Sequence, residues 1–447
     1  MIDPLESRAA REIDRLMTLH PRGHDLSLDR ITALLERLGN PHQKLPPVIH
    51  VAGTNGKGSA SAFCRALYEA EGLAVHVHTS PHLVNWHERF RLGSRGGAGR
   101  LVSDDHLTDA LCRVADANDG AAITVFEILT AVTFVLFSEH PADAVVMEVG
   151  LGGRFDATNV ITHPAVSLIM PISMDHQAYL GDRVELIAAE KAGIIKPGCP
   201  VVIAQQNEEA ARHVLEATAQ RLGAPAVVYG QDFSAHEEAG RLVYQDEFGL
   251  MDLPLPRLEG RHQHANAAAA IRAVKMAGLA ITHQAVERAM QDVSWPGRMQ
   301  RLASGRLGLL APAGSEILID GGHNPGAGQA TAETLADLEE RFSRPLFMIA
   351  GMLSTKDPVG YFEAFAGMVR HVFTVPIADS DAGIDPLVLA DDAAEAGLSA
   401  EPVDGIAEAL RRLDANWQGL EPAPRILISG SLYLVGEALM ANGTVPD

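Results

Sequence analysis

Cysteine is scarce in this chain: three in 447 residues, Cys64, Cys112 and Cys199. They stand too far apart for a zinc ribbon or a disulfide framework. No run approaches the roughly 18 consecutive apolar residues of a membrane helix, so a membrane partner is not expected. The stretch MIDPLESRAAREIDRL is charged throughout and lacks an apolar signal core, which points to a cytoplasmic protein. Positive charge is also in short supply, with 36 Lys plus Arg against 57 Asp plus Glu and a net charge of −21. That balance repels phosphate and argues against nucleic acid as a partner. An anionic ligand must then be held locally, by backbone N–H groups, a few placed cations or a metal. Fixed-period repeats and low-complexity tracts are missing too. What is there, 47% hydrophobic and 21% charged residues, is the composition of a globular protein with sizeable cores.

The apolar runs alternate with helical segments. A helix is expected from Ser27 to Leu38, with Ile31, Leu34, Leu35 and Leu38 on one face, Ser27 as cap and Gly39 as stop. Strands are expected at Val48–Ala52, Ala74–His78, Ala144–Val149, Ala165–Met170 and Val201–Ala204, with helices at Ala60–Ala70 and Phe126–Phe137. Short, largely apolar strands separated by helices read as a buried parallel sheet. Polar alternation from Tyr229 to Leu258 suits a small antiparallel hairpin, and the alanine-rich run Asn266–Ala277 a helix. Ser294-Trp295-Pro296-Gly297-Arg298 reads as a linker. Beyond it the rhythm restarts, with strands at Ile317–Ile319, Leu346–Ala350, Val372–Val375 and Ile426–Ser429. The expected fold class is α/β: an N-terminal P-loop-type domain, residues 1–295, with a mainly parallel sheet, and a smaller Rossmann-like α/β domain, 299–447.

Six segments carry candidate chemistry. Gly53-Thr54-Asn55-Gly56-Lys57-Gly58-Ser59 follows a strand and opens a helix, where backbone N–H groups and the helix start favour phosphate. Lys57 would reach terminal phosphates and Ser59 would offer a hydroxyl to Mg²⁺. The usual spacing is altered: Val51 stands five before Gly56, and Gly58 separates lysine from serine. Glu148 ends a strand ahead of Gly150-Leu151-Gly152-Gly153-Arg154-Phe155-Asp156, in the crevice position of α/β sheets. Phe155 at the third glycine position excludes a dinucleotide fingerprint. Glu148, His176 and a nucleotide phosphate would make a Mg²⁺ site, although His176 alone reads as a hydrogen-bonded loop histidine. Lys191, in an apolar setting, reads as paired with a carboxylate. Asp320 and His323 again follow a strand, and taken singly Asn324-Pro325 reads as a helix-capping turn. His76 and His78 alternate on one strand; a metal-dependent amidohydrolase would use such a pair, yet no matching second cluster accompanies it. A non-catalytic nucleotide-switched binding module is the third alternative.

Together these segments resemble the folylpolyglutamate synthase and dihydrofolate synthase branch of the Mur-type ATP-dependent ligases. The resemblance rests on GTNGKGS at 53–59, TSPHL at 79–83, HERFRL at 87–92, EVGLGGRFDATN at 148–159, DH at 175–176, EKAGIIKPG at 190–198, PGR at 296–298, DGGHNPGA at 320–327 and SGSLYLVGE at 429–437. It implies a ligase that activates a carboxylate with ATP as an acyl phosphate and captures it with L-glutamate. Gly53 to Ser59, Asn266, Arg298, Asp320 and His323 fall on ATP-contacting positions. Ser59, Ser80, Glu148 and His176 fall on positions serving two Mg²⁺ ions, and Lys191 on a lysine that is carbamylated to hold the second. Lys57, Lys191 and His323 would carry the catalysis, with His323 touching phosphate or acyl phosphate. His82, Arg91, Phe126, Arg154 and Asp156 match pterin-side elements. A monovalent cation as further cofactor, a dihydropteroate or folate acceptor and a monomeric state are also implied. The segments TSPHL and GGRFDATN look like those of bifunctional bacterial enzymes. Departures are small: Gly322 stands where alanine is commoner, and Gln177-Ala178 occupy a variable stretch.

Overall fold

The computed structural model describes residues 7–20, 27–378, 380 and 382–446; the first six residues of the charged opening stretch lie outside them. Three sheets form among the described residues. The first comprises β1 (Val48–Ala52), β2 (Val75–His78), β3 (Phe90–Ser94), β4 (Gly97–Leu101), β5 (Ala144–Glu148), β6 (Val166–Ile169), β7 (Val201–Ile203) and β8 (Ala226–Val228). Their order is β4-β3-β2-β5-β1-β6-β7-β8. From β2 to β8 every pairing is parallel, while β3 and β4 form an antiparallel edge. The parallel strands are buried on both faces, which is why they read as continuous apolar runs. One face packs against the helices Lys57–Ala70 and His262–Met276, the other against Asp104–Asn118 and Val125–Glu139.

The second sheet, β9 (Phe233–Glu238), β10 (Arg241–Asp246) and β11 (Gly249–Pro254), is a three-stranded meander, one strand more than the expected hairpin. The third comprises β12 (Gln300–Arg301), β13 (Glu316–Asp320), β14 (Leu346–Ala350), β15 (Val369–Thr374), β16 (Ala400–Pro402) and β17 (Arg425–Ser429). Its order is β12-β13-β17-β14-β15-β16, parallel except for β12. The two-residue β12 and the polar β16 carry too little apolar pattern to be legible in sequence.

Local chemistry sets the helix ends, with one correction. The first expected helix runs Asp29–Arg37; Ser27 accepts from Asp29 N at 2.9 Å but is not its cap, a place taken by Leu28 in helical conformation. The helix after the phosphate loop starts at Lys57, three residues earlier than expected, because Gly56 at φ +82° turns the chain directly into it. Thr124 and Glu127 close a reciprocal cap on the apolar helix Val125–Glu139.

Candidate active site

Strands β1, β5 and β6 are neighbours, so their carboxyl ends deliver the phosphate loop, Glu148 and the 170–176 segment to one crevice. Thr54 N and Asn55 N both donate to Pro171 O, at 2.9 and 3.2 Å, fixing the loop to the end of β6. Lys57 folds back over its own loop and donates to Gly53 O at 3.0 Å and Thr54 O at 3.3 Å. Lys191 donates to the same Gly53 O at 2.9 Å. A half-buried and a buried ammonium group thus share one carbonyl, and neither has a carboxylate within 4 Å among the described residues. The carboxylate pair expected for Lys191 is therefore absent: Glu190, its neighbour, faces Arg154 instead. Burial pushes Lys57 down, and burial with the nearby Lys57 charge pushes Lys191 down to about 7. In a protein of net charge −21 this is a local concentration of unpaired positive charge.

Facing it, Glu148 is 4% exposed and its Oε2 has no hydrogen-bond partner. Burial pushes its carboxyl up to about 7, against the pull of Lys57, Arg298 and Arg89. Ser80 Oγ is likewise buried without a partner, and Ser59 Oγ accepts from Gln263 Nε2 at 3.3 Å. A carboxylate oxygen and a hydroxyl left bare at a phosphate cradle are hard donors that fit Mg²⁺, which binds through one or two carboxylates plus substrate phosphate. Burial lowers His176 to about 4, leaving the neutral imidazole a metal requires. Among the described residues no three His, Cys, Asp or Glu side chains converge on one point, so such a site needs hydroxyls and phosphate to be complete.

The third sheet closes the crevice. Asn55 and Asn324 exchange amide hydrogen bonds, both 3.1 Å, and Asn324 Nδ2 also donates to Asp175 Oδ2 at 3.1 Å. Asn324 caps the helix Pro325–Arg341 as well, accepting from Ala327 N at 2.9 Å, so the capping reading holds and is incomplete. His323 Nδ1 lies 2.8 Å from Gly321 O, and its Nε2 lies 3.6 Å from Asp175 Oδ2. Asp320 is spent locally: Oδ2 accepts from Met299 N and Oδ1 from Gly322 N, tying the linker to the loop after β13. Arg298 donates to Gly297 O, and Asn266 Nδ2 to Gln263 Oε1, both at 3.0 Å. Sequence reasoning missed Lys356, whose Nζ donates to Asp175 Oδ1 at 2.7 Å. Its only signal was its place in the loop after β14, at the mouth of the third sheet.

A cavity of about 590 Å³ opens beside the cradle, with Gly58, Ser80, Glu148, Trp295, Arg298 and Arg91 among its walls. Of the five pterin-side residues, Arg91 alone lines it; Arg91 donates to Gly99 O. His82 packs tilted on Trp86, ring centroids 4.3 Å apart, Phe126 fills the space a Cβ on Gly150 would need, and Arg154 is half exposed beside Glu190. Asp156 is consumed by its own loop: it accepts from Gly150 N, Leu151 N, Thr158 N and Thr158 Oγ1. With those lone pairs engaged, it shapes the 150–158 turn rather than offering itself to a ligand.

His76 and His78 are both buried. His76 lies 3.0 Å by Nε2 from His140 O and accepts from Gly93 N at Nδ1, while His78 Nδ1 meets Arg89 O and Thr133 Oγ1. Their rings pack on Phe137 and Phe90. A metal pair has no place there, and the hydrolase alternative loses its one motif.

Comparison with known proteins agrees with the geometry. Residues 51–274 match the Mur ligase middle domain, and 297–432 the Mur ligase glutamate ligase domain. The chain is 34% identical over 419 residues to a folylpolyglutamate synthase of Lacticaseibacillus casei, covering 91% of this chain and 92% of that one. It is 31% identical over 445 residues to a dihydrofolate synthase/folylpolyglutamate synthase of Haemophilus influenzae, covering 96% and 97%. The solved structure of a bifunctional folylpolyglutamate synthase/dihydrofolate synthase from Yersinia pestis, complexed with AMPPNP and a Mn ion, superposes with a TM-score of 0.83 at 27% identity, covering 99% of each chain.

Proposed function

This chain belongs to the Mur ligase family, in the branch of folylpolyglutamate and dihydrofolate synthases, and from that membership we propose that it joins L-glutamate to a pteroyl acceptor at the expense of ATP. The observation that carries the reading is the pair of ammonium groups, Lys57 and the buried Lys191, on Gly53 O facing the bare Glu148 and Ser80 oxygens. Such a cradle suits a triphosphate with divalent metal and little else.

A carboxylate does not acylate an amine at neutral pH, because its leaving group would be oxide or hydroxide. Transfer of the γ-phosphoryl group to the acceptor carboxylate forms a P–O bond, breaks the β,γ bridge and releases ADP. The glutamate amine then attacks the acyl carbon, loses its proton and expels inorganic phosphate. Lys57 swings from its loop carbonyls to the phosphates, Arg298 adds charge from the linker, and His323 stands where transferred phosphate would lie. Glu148, Ser80, Ser59 and His176 would hold Mg²⁺, which when bound offsets phosphate charge. Lys191, with an amine held near neutrality, is suited to carbamylation, which would turn one of two crowded cations into an anion. The domain division at 295–299, a cytoplasmic monomer, a monovalent cation and activity on both acceptors belong to the same reading.

The test is the purified chain with Mg-ATP and glutamate, offered dihydropteroate and tetrahydrofolate separately, with products read by mass. Glutamylated product from either acceptor supports the ligase; ATP bound without turnover in the presence of both overturns it. For the carbamate, Lys191→Ala should lose activity and regain part of it with short carboxylic acids. A bare amine at Lys191 in intact mass under bicarbonate would count against it.

A further inference from the structure

Arg89 is an uncompensated cation beside the cavity, in the segment between the lining residues Glu88 and Arg91. The side chain is 9% exposed, and no carboxylate lies within 4 Å of it among the described residues. Its Nε donates to His82 Nδ1 at 2.9 Å, and the guanidinium lies 5.0 Å over the Trp86 ring. His82 meets Arg89 only as the acceptor of that bond, and an imidazole carries no negative charge to offset the guanidinium. The adjacent carboxylate, Glu88, is turned away, accepting from the backbone N–H groups of Leu83, Val84 and Asn85 at 2.9, 2.8 and 2.7 Å. Neither Nη group donates to any described residue. Desolvating a guanidinium without a partner is costly, and the fork geometry left open matches a carboxylate.

Position says which carboxylate. Segment 79–91 forms one wall of the cavity that also holds Glu148 and Arg298, and Arg89 and Glu148 feel each other's charge. An acceptor seated here directs its reacting carboxylate toward the phosphate cradle. Dihydropteroate has that carboxylate alone. A glutamylated pterin reacts at its γ-carboxylate and keeps a second, ionised α-carboxylate on the same residue. We infer that Arg89 is the counter-charge for this non-reacting α-carboxylate and sets the preference for glutamylated over unglutamylated acceptors. The inference rests on the ligase reading above and adds a specificity residue to it.

Equilibrium binding of dihydrofolate and dihydropteroate, which differ only by the glutamyl group, tests it on the full chain saturated with Mg-AMPPNP. Arg89→Met should weaken dihydrofolate roughly 30-fold, the usual loss for a hydrogen-bonded charge pair, and dihydropteroate less than about threefold. Arg89→Lys, which keeps the charge without the fork, should fall between, and it carries the comparison if the methionine variant does not fold. Equal weakening of both ligands, as from a merely structural arginine, or an unchanged ratio overturns the inference and leaves the ligase reading intact. Wild-type protein that binds neither ligand overturns both.

Discussion

Lys356 and Asp175 meet across the crevice at 2.7 Å, one from the loop after β14 and the other from the loop after β6, and the same ammonium lies 3.5 Å from His176 Nε2. Burial by itself would raise the Asp175 carboxyl; His323, Lys356 and His176 together hold it well below the usual carboxylate range. The two sheets are thus latched by a buried pair, both side chains under one-tenth exposed. Removing one partner strands the other, so Lys356→Met should cost about 3 kcal/mol in urea denaturation. The Asp175→Asn/Lys356→Met double variant should cost clearly less than the two single losses added. Strict additivity would show that the latch contributes no coupling.

Metal binding should depend on pH through Glu148. Its carboxyl is pushed up to about 7 by burial, so below that pH a divalent ion must first displace a proton. Mn²⁺ affinity of the nucleotide-free chain, followed by electron paramagnetic resonance, should fall about tenfold per pH unit below 7 and level off above it. Glu148→Gln should abolish the slope. An affinity flat from pH 5 to 7 contradicts the assignment.

Gly58, the glycine that separates the loop lysine from its serine, has a steric explanation. A Cβ there would lie 2.6 Å from Trp295 Nε1, so the first turn of the helix Lys57–Ala70 packs directly on the linker indole. Gly58→Ala should destabilise by about 1–3 kcal/mol and shift the intrinsic fluorescence, to which only three tryptophans contribute. Trp295→Leu in the same chain should recover most of the stability.

The buried histidine pair should prove structural. With both ring nitrogens of His76 engaged, His76→Gln is expected to cost about 1–2 kcal/mol in thermal unfolding while leaving kcat for ligation within about twofold. Loss of turnover without loss of stability would restore a chemical role.

Much of the architecture was legible in the residues. Val48–Ala52 and Ala144–Val149 read as buried parallel strands because burial on both faces leaves few polar positions, His50 and Glu148 being the exceptions. The turn from strand to helix at Gly53–Ser59 was legible because its glycines and lysine are local requirements of a phosphate cradle. The edge hairpin β3–β4 was not, since Arg91, Gly97, Gly99 and Arg100 obey no alternation a half-exposed edge would impose. Ser27 misled for a simpler reason: its hydroxyl caps a turn one residue ahead of the helix.

The chain by itself determined where carboxylates, lysines and glycines sit relative to strand ends, because those positions follow from short-range periodicity. Only the tertiary structure decided which charges are left without partners. Lys191 reaches the Gly53 carbonyl, which Lys57 also uses, from 138 residues away, Asp175 finds Lys356 at a separation of 181, and Asp156 exhausts itself on its own turn. Pairing depends on distances in space and on desolvation, and neither is written in the order of residues along a strand.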